Sequence, residues 1–501
     1  MSQILKRLRV YTSKGSASDL GMRFEVPVMC NTVKEKDCLL GSLAGFLEIY
    51  LARSIARLNK PLNLMWPETQ NFNKDLVESA HHNVPTSNDV QTFGRVMEKE
   101  LQNARRDLGL LMAIARGAVT SAVRMFAARA ENFLAPSYSD PWRLSKQKQH
   151  ITLTKAQRRN RDIFERLQQL KRILLQLTKS DVNRGDHLVR ALGPASKCVD
   201  ELSRQIMSPY VLSASKQLDL TILGMHSETF SDKNTSTETS SFYIRRVCSS
   251  ISILKKYFQC FTSNYTSGMI REIKIMLCRH VICNFVRHAS LIRPLSETGK
   301  LRLTQDMTQL ELSLSQIVSD TSSLGWVYEE LRAFRQLLFL ETNAAAQLPR
   351  HELSKFRPST FSHHLIGRGP VELEHPIDAV KESDLKGYTK WILDTARAVQ
   401  NTDEDEDEND ALVSLPSVPS STSLDSLELF SRVYDTPSCT VENAIWNRVQ
   451  MCLDKYAQRM SSGSNSGIDL CAEYHVLVKM GPVMIRGFRA QCAASSSSTT
   501  S

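Results

Sequence analysis

The stretch FVRHASLIRPLSETGKLRLTQDMTQLEL, residues Phe285 to Leu312, decides the fold class. Pro294 lies near its middle, has no backbone N–H to donate, and disfavours helical backbone angles at Arg293. Apolar residues at helical spacing lead up to this proline and resume after it. The stretch therefore predicts a helix, a short proline corner and a second helix, which is the connection typical of antiparallel neighbours in a helix bundle.

The second of these helices has a clear apolar stripe. Its inward residues, separated by three or four positions, are Leu303, Met307, Leu310, Leu314 and Ile317. The same phase predicts that Arg302, Asp306 and Gln309 lie outside the stripe. Ser296 or Thr298 is expected to cap the helix, because a hydroxyl there accepts a hydrogen bond from a free backbone N–H.

The rest of the chain has the same helical character. It has 501 residues, 42% of them hydrophobic, with only 20 glycines and 17 prolines, which is too few for a turn-rich β architecture. Further helices are predicted over residues 43–58, 95–134, 161–177, 441–460 and 469–480. We expect the first to end before Pro61 and the second to bend near Gly117, while residues 347–376 are expected to be rich in loops. The predicted fold class is all-α.

Charge is distributed unevenly. The run Thr402 to Asp410 holds seven acids, and leaving it out raises the formal net charge from +10 to +17. Ten lysines and arginines lie between Arg143 and Arg172, against only two acids. A basic, amphipathic helix of this kind is typical of a solvated basic face on a helix bundle, and it is also compatible with contact to an anionic membrane or an acidic protein. The candidate contact residues are Arg158, Arg159, Arg161, Lys171 and Arg172.

Nucleic acid is the remaining class of anionic partner. Phosphates would be neutralised by the same basic residues, but only Phe164 offers a ring for base stacking within this segment. A basic helical nucleic-acid-binding protein, or another scaffold protein, is therefore the alternative function, and no nucleic acid is expected.

No catalytic or metal-binding pattern stands out. The densest set of soft ligands is Cys278, His280, Cys283 and His288, whose helical spacing favours cysteines in a core with histidines at its edge over a metal site. The pairs at 81–82 and 363–364 are expected to be solvated histidines in loops. Gly299-Lys300 lacks the preceding glycine of a phosphate-binding loop. We therefore expect no enzyme activity, no cofactor and no metal.

One apolar segment has the length of a membrane span. It begins at Leu108 and contains Arg116, Arg124 and Arg129. Three arginines are costly within a bilayer, so the segment is expected to be a buried helix of the fold instead.

Several passages carry a family resemblance. They occur in matching order and are YLARSIARLNKPLNLMWP (50–67), LTKAQRRN (153–160), RHASLIRPLSETGKLRLTQDMTQLELSLS (287–315), LRAFRQLLF (331–339) and GRGPVELEHP (367–376). Together they closely resemble the C-terminal half of subunit 5 of the conserved oligomeric Golgi complex, which belongs to the multisubunit vesicle-tethering complexes. The resemblance spans roughly residues 35–385 and, more loosely, the final helical unit.

The resemblance implies a fold of tandem antiparallel helix bundles that form an elongated rod. It also implies a non-catalytic subunit that acts in intra-Golgi retrograde vesicle tethering and Golgi organisation. The implied partners are the sibling subunits, especially 6, 7 and 8, together with SNARE proteins and Rab GTPases. The implied location is the cytosol and the cytoplasmic face of the Golgi membrane, with peripheral attachment.

The chain departs from the family pattern in two places. Family members carry an extensive coiled-coil region before the part matched at Tyr50, so we expect this chain to be a fragment, an isoform or the product of a truncated gene model. The acidic run and the Ser/Pro-rich residues after it resemble an insertion.

These patterns predict a division of the chain into six parts. They are a poorly ordered basic segment (1–34), the main helical bundle or bundles (35–293), a C-terminal bundle (294–400), a disordered acidic and Ser/Pro-rich linker (401–424), a final helical unit (425–490) and a disordered tail (491–501).

Overall fold

The protein is all-α in a computed structural model. The structure describes residues 44–66, 84–134, 155–179, 185–231, 240–261, 268–377, 387–388, 391–392, 395, 439–462 and 470–498, and no strand occurs among them. These residues form two compact units, one up to Met207 and one from Ser208 onward. The sequence predictions for the linker 401–424 and for the histidine pair at 81–82 lie outside the described residues.

Unit 1, the described residues up to Met207, begins with four helices and a π-helical turn. The helices are α1 (Ala44–Met65), α2 (Ser87–Ala104), α3 (Leu108–Ala113) and α4 (Thr120–Asn132), and the π-helical turn is Ile114–Val119. Helix α1 continues through Pro61, so the prediction that it ends before this proline was wrong. The predicted single helix over 95–134 is interrupted where Asp107 accepts hydrogen bonds from Gly109 N and Leu110 N and starts α3. The backbone irregularity predicted near Gly117 is the π-helical turn.

Two longer helices complete unit 1. Helix α5 is Lys155–Lys179, and helix α6 is Gly185–Leu223, of which residues 185–207 belong to this unit. Trp66 closes the end of α1, with its ring centroid 4.7 Å from that of Phe133 and 5.9 Å from that of Phe126. These rings lie in the core of the unit, where aromatic side chains bury the most apolar area per residue.

Helix α4 and the residues before it have the length and composition of a membrane span. The segment Leu108–Asn132 is long and apolar enough, but 61% of its most apolar part is buried within the protein. A core helix can have the same length and composition, and the burial agrees with the prediction of a buried helix.

Unit 2 contains the stretch that decides the fold. Helix α7 is Phe242–Phe261, α8 is Gly268–Ser290, α9 is Glu297–Leu314 and α10 is Trp326–Leu337. The proline corner lies between α8 and α9, and its Arg293–Pro294 peptide bond is cis. Ser296 caps α9 by accepting a hydrogen bond from Gly299 N, as the sequence predicts.

The predicted apolar stripe on α9 is confirmed for the four residues that lie in the helix. The prediction for one polar neighbour was wrong. Leu303, Met307, Leu310 and Leu314 are buried, and Ile317 lies beyond the helix and is half-buried. Asp306, predicted to lie outside the stripe, is buried. Its carboxylate accepts hydrogen bonds from Tyr243 Oη at 2.9 Å and from Ser241 N at 3.3 Å. Burial raises the pKa of Asp306, and these hydrogen bonds offset part of the effect.

Three short helices occupy the region predicted to be rich in loops. They are α11 (Thr342–Ala345), α12 (Arg350–Leu353) and α13 (Pro358–Arg368). Proline at the first position of α13 suits a helix start, since it has no N–H to leave unpaired. His363 and His364 are buried in α13, so the prediction that they are solvated loop residues was wrong.

Two further helices complete the described part of unit 2. Helix α14 is Cys439–Ser462 and helix α15 is Ala472–Ser498. Trp446 of α14 packs against Gly481 of α15. Helix α15 extends well past Met480, where the sequence predicts its end, and includes residues 491–498 of the predicted tail.

Candidate interaction surfaces

The described residues show no cluster of histidine, cysteine, aspartate and glutamate side chains able to hold a metal ion. Cys278 and Cys283 are buried thiols, as predicted, and burial raises the pKa of Cys278 to about 12. The histidines were predicted at the edge of this core but lie inside it. His288 is buried and its Nδ1 lies 3.2 Å from His226 Nε2. Burial lowers the pKa of His288 to about 3, so the ring is neutral and acts as a packed core group.

The five predicted anion-contact residues all lie on α5, but the structure distinguishes them. Arg161 is paired with Asp162 at 2.9 Å, and Lys171 with Asp200 at 2.5 Å. Arg159 is half-buried, with its guanidinium carbon 5.5 Å from the centroid of the Phe133 ring. Burial lowers the pKa of Arg159. These three side chains are held by partners within unit 1.

Arg158 and Arg172 remain the exposed members of the set. Their separation of fourteen positions is close to four helical turns, so both lie on the outward face of α5. Close to this side of α5, Gln169 Nε2 donates to Ser87 O at 3.0 Å and Arg166 Nε donates to Pro85 O at 3.0 Å, so the residues at the start of α2 cover part of it. The surface available for an anionic partner is thus narrower than the sequence suggests.

The corner between α8 and α9 and the end of α10 are each held by an arginine that contacts backbone carbonyls. Arg293 donates to Leu373 O at 3.0 Å and to Gly369 O at 3.1 Å, and also bonds Pro370 O. Arg368 donates from Nη2 to Leu337 O at 2.6 Å and to Leu338 O at 3.1 Å, at the end of α10.

These two arginines bring together three of the passages that carry the family resemblance. The passage at 287–315 contributes Arg293, the passage at 367–376 contributes Arg368 and the bonded loop, and the passage at 331–339 contributes the end of α10. Each passage supplies a charged donor or an acceptor carbonyl that is hydrogen-bonded by another of the three. The sequence of such a passage can therefore be constrained by the fold without any contact to a ligand.

A buried ion pair joins α10 to the start of α13. Arg357 Nε lies 2.9 Å from Glu330 Oε2, with side-chain exposures of 4% and 0%. Thr360 Oγ1 also donates to Glu330 at 2.8 Å, and Arg357 Nη2 donates to Cys283 O at 3.2 Å. Burial alone lowers the pKa of Arg357, but the neighbouring carboxylates outweigh that effect and raise it. Both side chains of the pair are therefore hydrogen-bonded and away from solvent.

A second buried carboxylate ties α14 to α13. Glu442 Oε2 accepts from Ser359 N at 2.8 Å and Glu442 Oε1 accepts from Ser359 Oγ at 2.9 Å. Ser359 lies in the first turn of α13, where backbone N–H groups have no partner within the helix. Glu442 thus serves as a cap supplied by another helix. Burial raises its pKa.

Sequence reasoning missed the polar core groups Glu330, Arg357 and Glu442. Glu330 was readable in part, because it follows Val327 by three positions on the apolar face of α10. Its partner is twenty-seven residues away, and the partner of Glu442 is eighty-three residues away. Pairing over such distances leaves no local pattern in one sequence.

Two curated proteins match the chain. It is 26% identical over 362 residues to conserved oligomeric Golgi complex subunit 5 of Mus musculus, a match covering 71% of this chain and 41% of the mouse protein. It is 26% identical over 374 residues to the subunit of the same name from Arabidopsis thaliana, covering 72% of this chain and 42% of the plant protein. The matched part thus spans about two fifths of each relative. No protein-family profile matches the chain, and no solved structure matches it.

The resemblance of the quoted passages, three of which meet in unit 2, agrees with the two matches. By sequence, the chain is a relative of conserved oligomeric Golgi complex subunit 5 across about seven tenths of its length.

Proposed function

We propose that this chain is a non-catalytic subunit of a Golgi tethering complex, acting in intra-Golgi retrograde vesicle tethering and Golgi organisation. The observation that carries the proposal is the similarity to subunit 5 of the conserved oligomeric Golgi complex in both a mammal and a plant. An all-α fold with polar groups used for internal bonding suits a protein that works through contacts between helices. The expected partners are sibling subunits, especially 6, 7 and 8, with SNARE proteins and Rab GTPases.

Co-purification tests this assignment. The tagged full chain is expressed in cells beside tagged full-length mouse subunit 5 as a positive control, and Leu310→Asp serves as a matched variant with a disrupted core. We expect the wild-type chain to recover sibling subunits and the variant to lose them, because Leu310 is fully buried. The assignment fails if the mouse control recovers siblings and the wild-type chain recovers none.

We also propose that Arg158 and Arg172 orient the chain at an anionic Golgi membrane surface. The support is their exposure on one side of α5, where two positive charges can approach an anionic surface. Each basic residue near an anionic membrane contributes about 1 kcal/mol at physiological salt. The attachment is peripheral, on the cytoplasmic face.

Vesicle sedimentation tests this surface. The double variant Arg158→Glu, Arg172→Glu should bind vesicles containing phosphatidylserine at least about tenfold more weakly than wild type. The control is Arg190→Glu, Arg204→Glu, which makes the same charge change at the same spacing on exposed positions of α6. Equal loss in both variants would contradict a specific surface. Steeply salt-dependent binding to duplex DNA, lost only in the first variant, would favour the nucleic-acid alternative.

A further inference from the structure

A groove opens in unit 2 between the short helix α12 and the C-terminal helix α15. Its volume is about 370 Å³, within the range of about 300 to 1,000 Å³ typical of binding sites. The apolar side chains that line it are Leu353, Phe356, Val483, Met484 and Phe488. Leu353 belongs to α12, Phe356 follows that helix, and the other three belong to α15, so the groove is part of the folded unit.

The groove has a simple structural origin. Gly487 lines it, and a Cβ placed on this glycine would have no atom within 4 Å. Helix α12 contains only four residues, so it leaves much of α15 uncovered on this side. Space that a larger residue at 487 would fill is therefore left open to solvent.

Two arginines give the groove its charge. Arg350 at the start of α12 and Arg486 on α15 both line it and are exposed. Arg486 Nε donates to Pro482 O at 3.1 Å. Among the described residues, neither guanidinium forms an ion pair with a carboxylate, whereas the nearby Glu352 is already paired with Lys355 at 2.8 Å. The groove thus presents two positive charges on opposite sides of an apolar floor.

We propose that this groove docks an acidic amphipathic segment of a partner protein. Two or three apolar side chains of the segment enter the groove, and flanking aspartates or glutamates contact Arg350 and Arg486. Charge complementarity argues for this occupant, because a guanidinium binds a carboxylate through two parallel hydrogen bonds. A helix with apolar anchors at positions i, i+3 or i+4 suits an apolar groove flanked by charge. The inference stands on the groove itself and does not require the assignment to a Golgi complex.

A displayed library of short random peptides, selected against the full chain, tests the proposal. Selection on wild type should enrich peptides with apolar residues three or four positions apart and with flanking acids. The variant Arg350→Glu, Arg486→Glu should recover these peptides at least about tenfold less well, since both charge contacts become repulsive. Gly487→Phe should also block recovery by filling the groove.

Two controls separate docking from loss of fold and from membrane binding. Arg489→Glu makes the same charge change as Arg486→Glu, on the same helix but outside the groove. This variant should recover the peptides as wild type does. Gly487→Ala should not lower the stability of the fold, since its Cβ meets nothing. Recovery of the enriched peptides by Gly487→Phe, or enrichment without acidic residues, would overturn the proposal. The proposal would also be overturned if the groove variants lost binding to phosphatidylserine vesicles but still recovered the peptides.

Discussion

The contact between α14 and α15 predicts that Gly481→Ala destabilises unit 2. A Cβ at this glycine would lie 1.7 Å from Cη2 of Trp446, with two more ring atoms at 2.3 and 2.5 Å. Ordinary carbon contacts are about 3.5 to 4.0 Å, so the indole would have to move by about 2 Å. Trp446 is only 7% exposed, which leaves it little space to move into.

The magnitude follows from two opposing effects. Forcing a side chain into a packed core costs about 1 to 3 kcal/mol. Replacing glycine by alanine inside a helix returns about 0.5 to 1 kcal/mol. We therefore expect Gly481→Ala to lower the free energy of unfolding of the α14–α15 pair by about 1 kcal/mol, and by at most about 2.5 kcal/mol. Gly487→Ala, on the same helix with open space around its Cβ, should raise it by about 0.5 to 1 kcal/mol.

Native-state hydrogen exchange of the α14 and α15 amides is the appropriate assay. A chain with two compact units need not unfold in one step, so a global melting temperature would mix their contributions. Amides of α5 in unit 1 serve as an internal reference and should exchange equally in both variants.

A double-mutant cycle with Trp446→Leu isolates the proposed contact. Leucine lacks the ring atoms that the new Cβ would meet, so Gly481→Ala should cost much less in this background. The steric argument is refuted if the cost is the same in both backgrounds, or if Gly481→Ala and Gly487→Ala affect exchange equally.

Three further predictions concern other parts of unit 2. Gly299→Ala should destabilise α9 by about 1 to 3 kcal/mol, measured by hydrogen exchange, because its Cβ would lie 2.1 Å from the backbone carbonyl oxygen of Phe230. The control is Gly193→Ala, whose Cβ would meet nothing and which should not destabilise α6. Arg357→Met should lower the urea midpoint by the equivalent of about 3 to 5 kcal/mol, since it leaves the Glu330 carboxylate buried without its cation. Burial lowers the pKa of His226 from 6.5 to about 4, so stability should fall by up to about 3 kcal/mol as pH falls between these values.

Each of these predictions has an outcome that contradicts it. The first is wrong if the two glycine variants affect their helices alike. For the ion pair, adding Glu330→Leu to Arg357→Met should recover part of the loss, and a further loss of similar size would show that the two side chains act independently. For the histidine, unfolding of His226→Gln should depend less on pH than that of wild type between about pH 6.5 and 4, and parallel curves would rule out its protonation as the cause.

Apolar periodicity predicted helices well because burial of a helix face is a local property of sequence. The stripe on α9 and the predicted helix over 161–177, which lies within α5, both have the expected phase. Pro61 was misread because a proline ends a helix only if the lost hydrogen bond and the ring clash outweigh the packing of the following turn. Leu62 and Met65 in that turn are buried, so here the packing prevails.

Helix α13 was not predicted because it buries polar residues together with apolar ones. Its sequence, PSTFSHHLIGR, is half polar, yet all residues from Pro358 to Ile366 are buried. A hydropathy pattern cannot identify such a segment. Moving a polar group from water into the core is unfavourable, and the hydrogen bond to its partner offsets that cost.

The candidate surfaces, too, depend on partners that are distant in sequence. The run of positive charge on α5 was visible in sequence, but which charges remain for a partner depends on acids elsewhere, such as Asp200 beside Lys171. The groove was not visible at all, since it results from a glycine and a four-residue helix brought together by the fold. Sequence shows which residue types are present, and only the pairing in three dimensions decides which of them are already satisfied. Several charged residues of the described part bond within the fold, and a search for partner contacts should begin with the exposed side chains of Arg158, Arg172, Arg350 and Arg486.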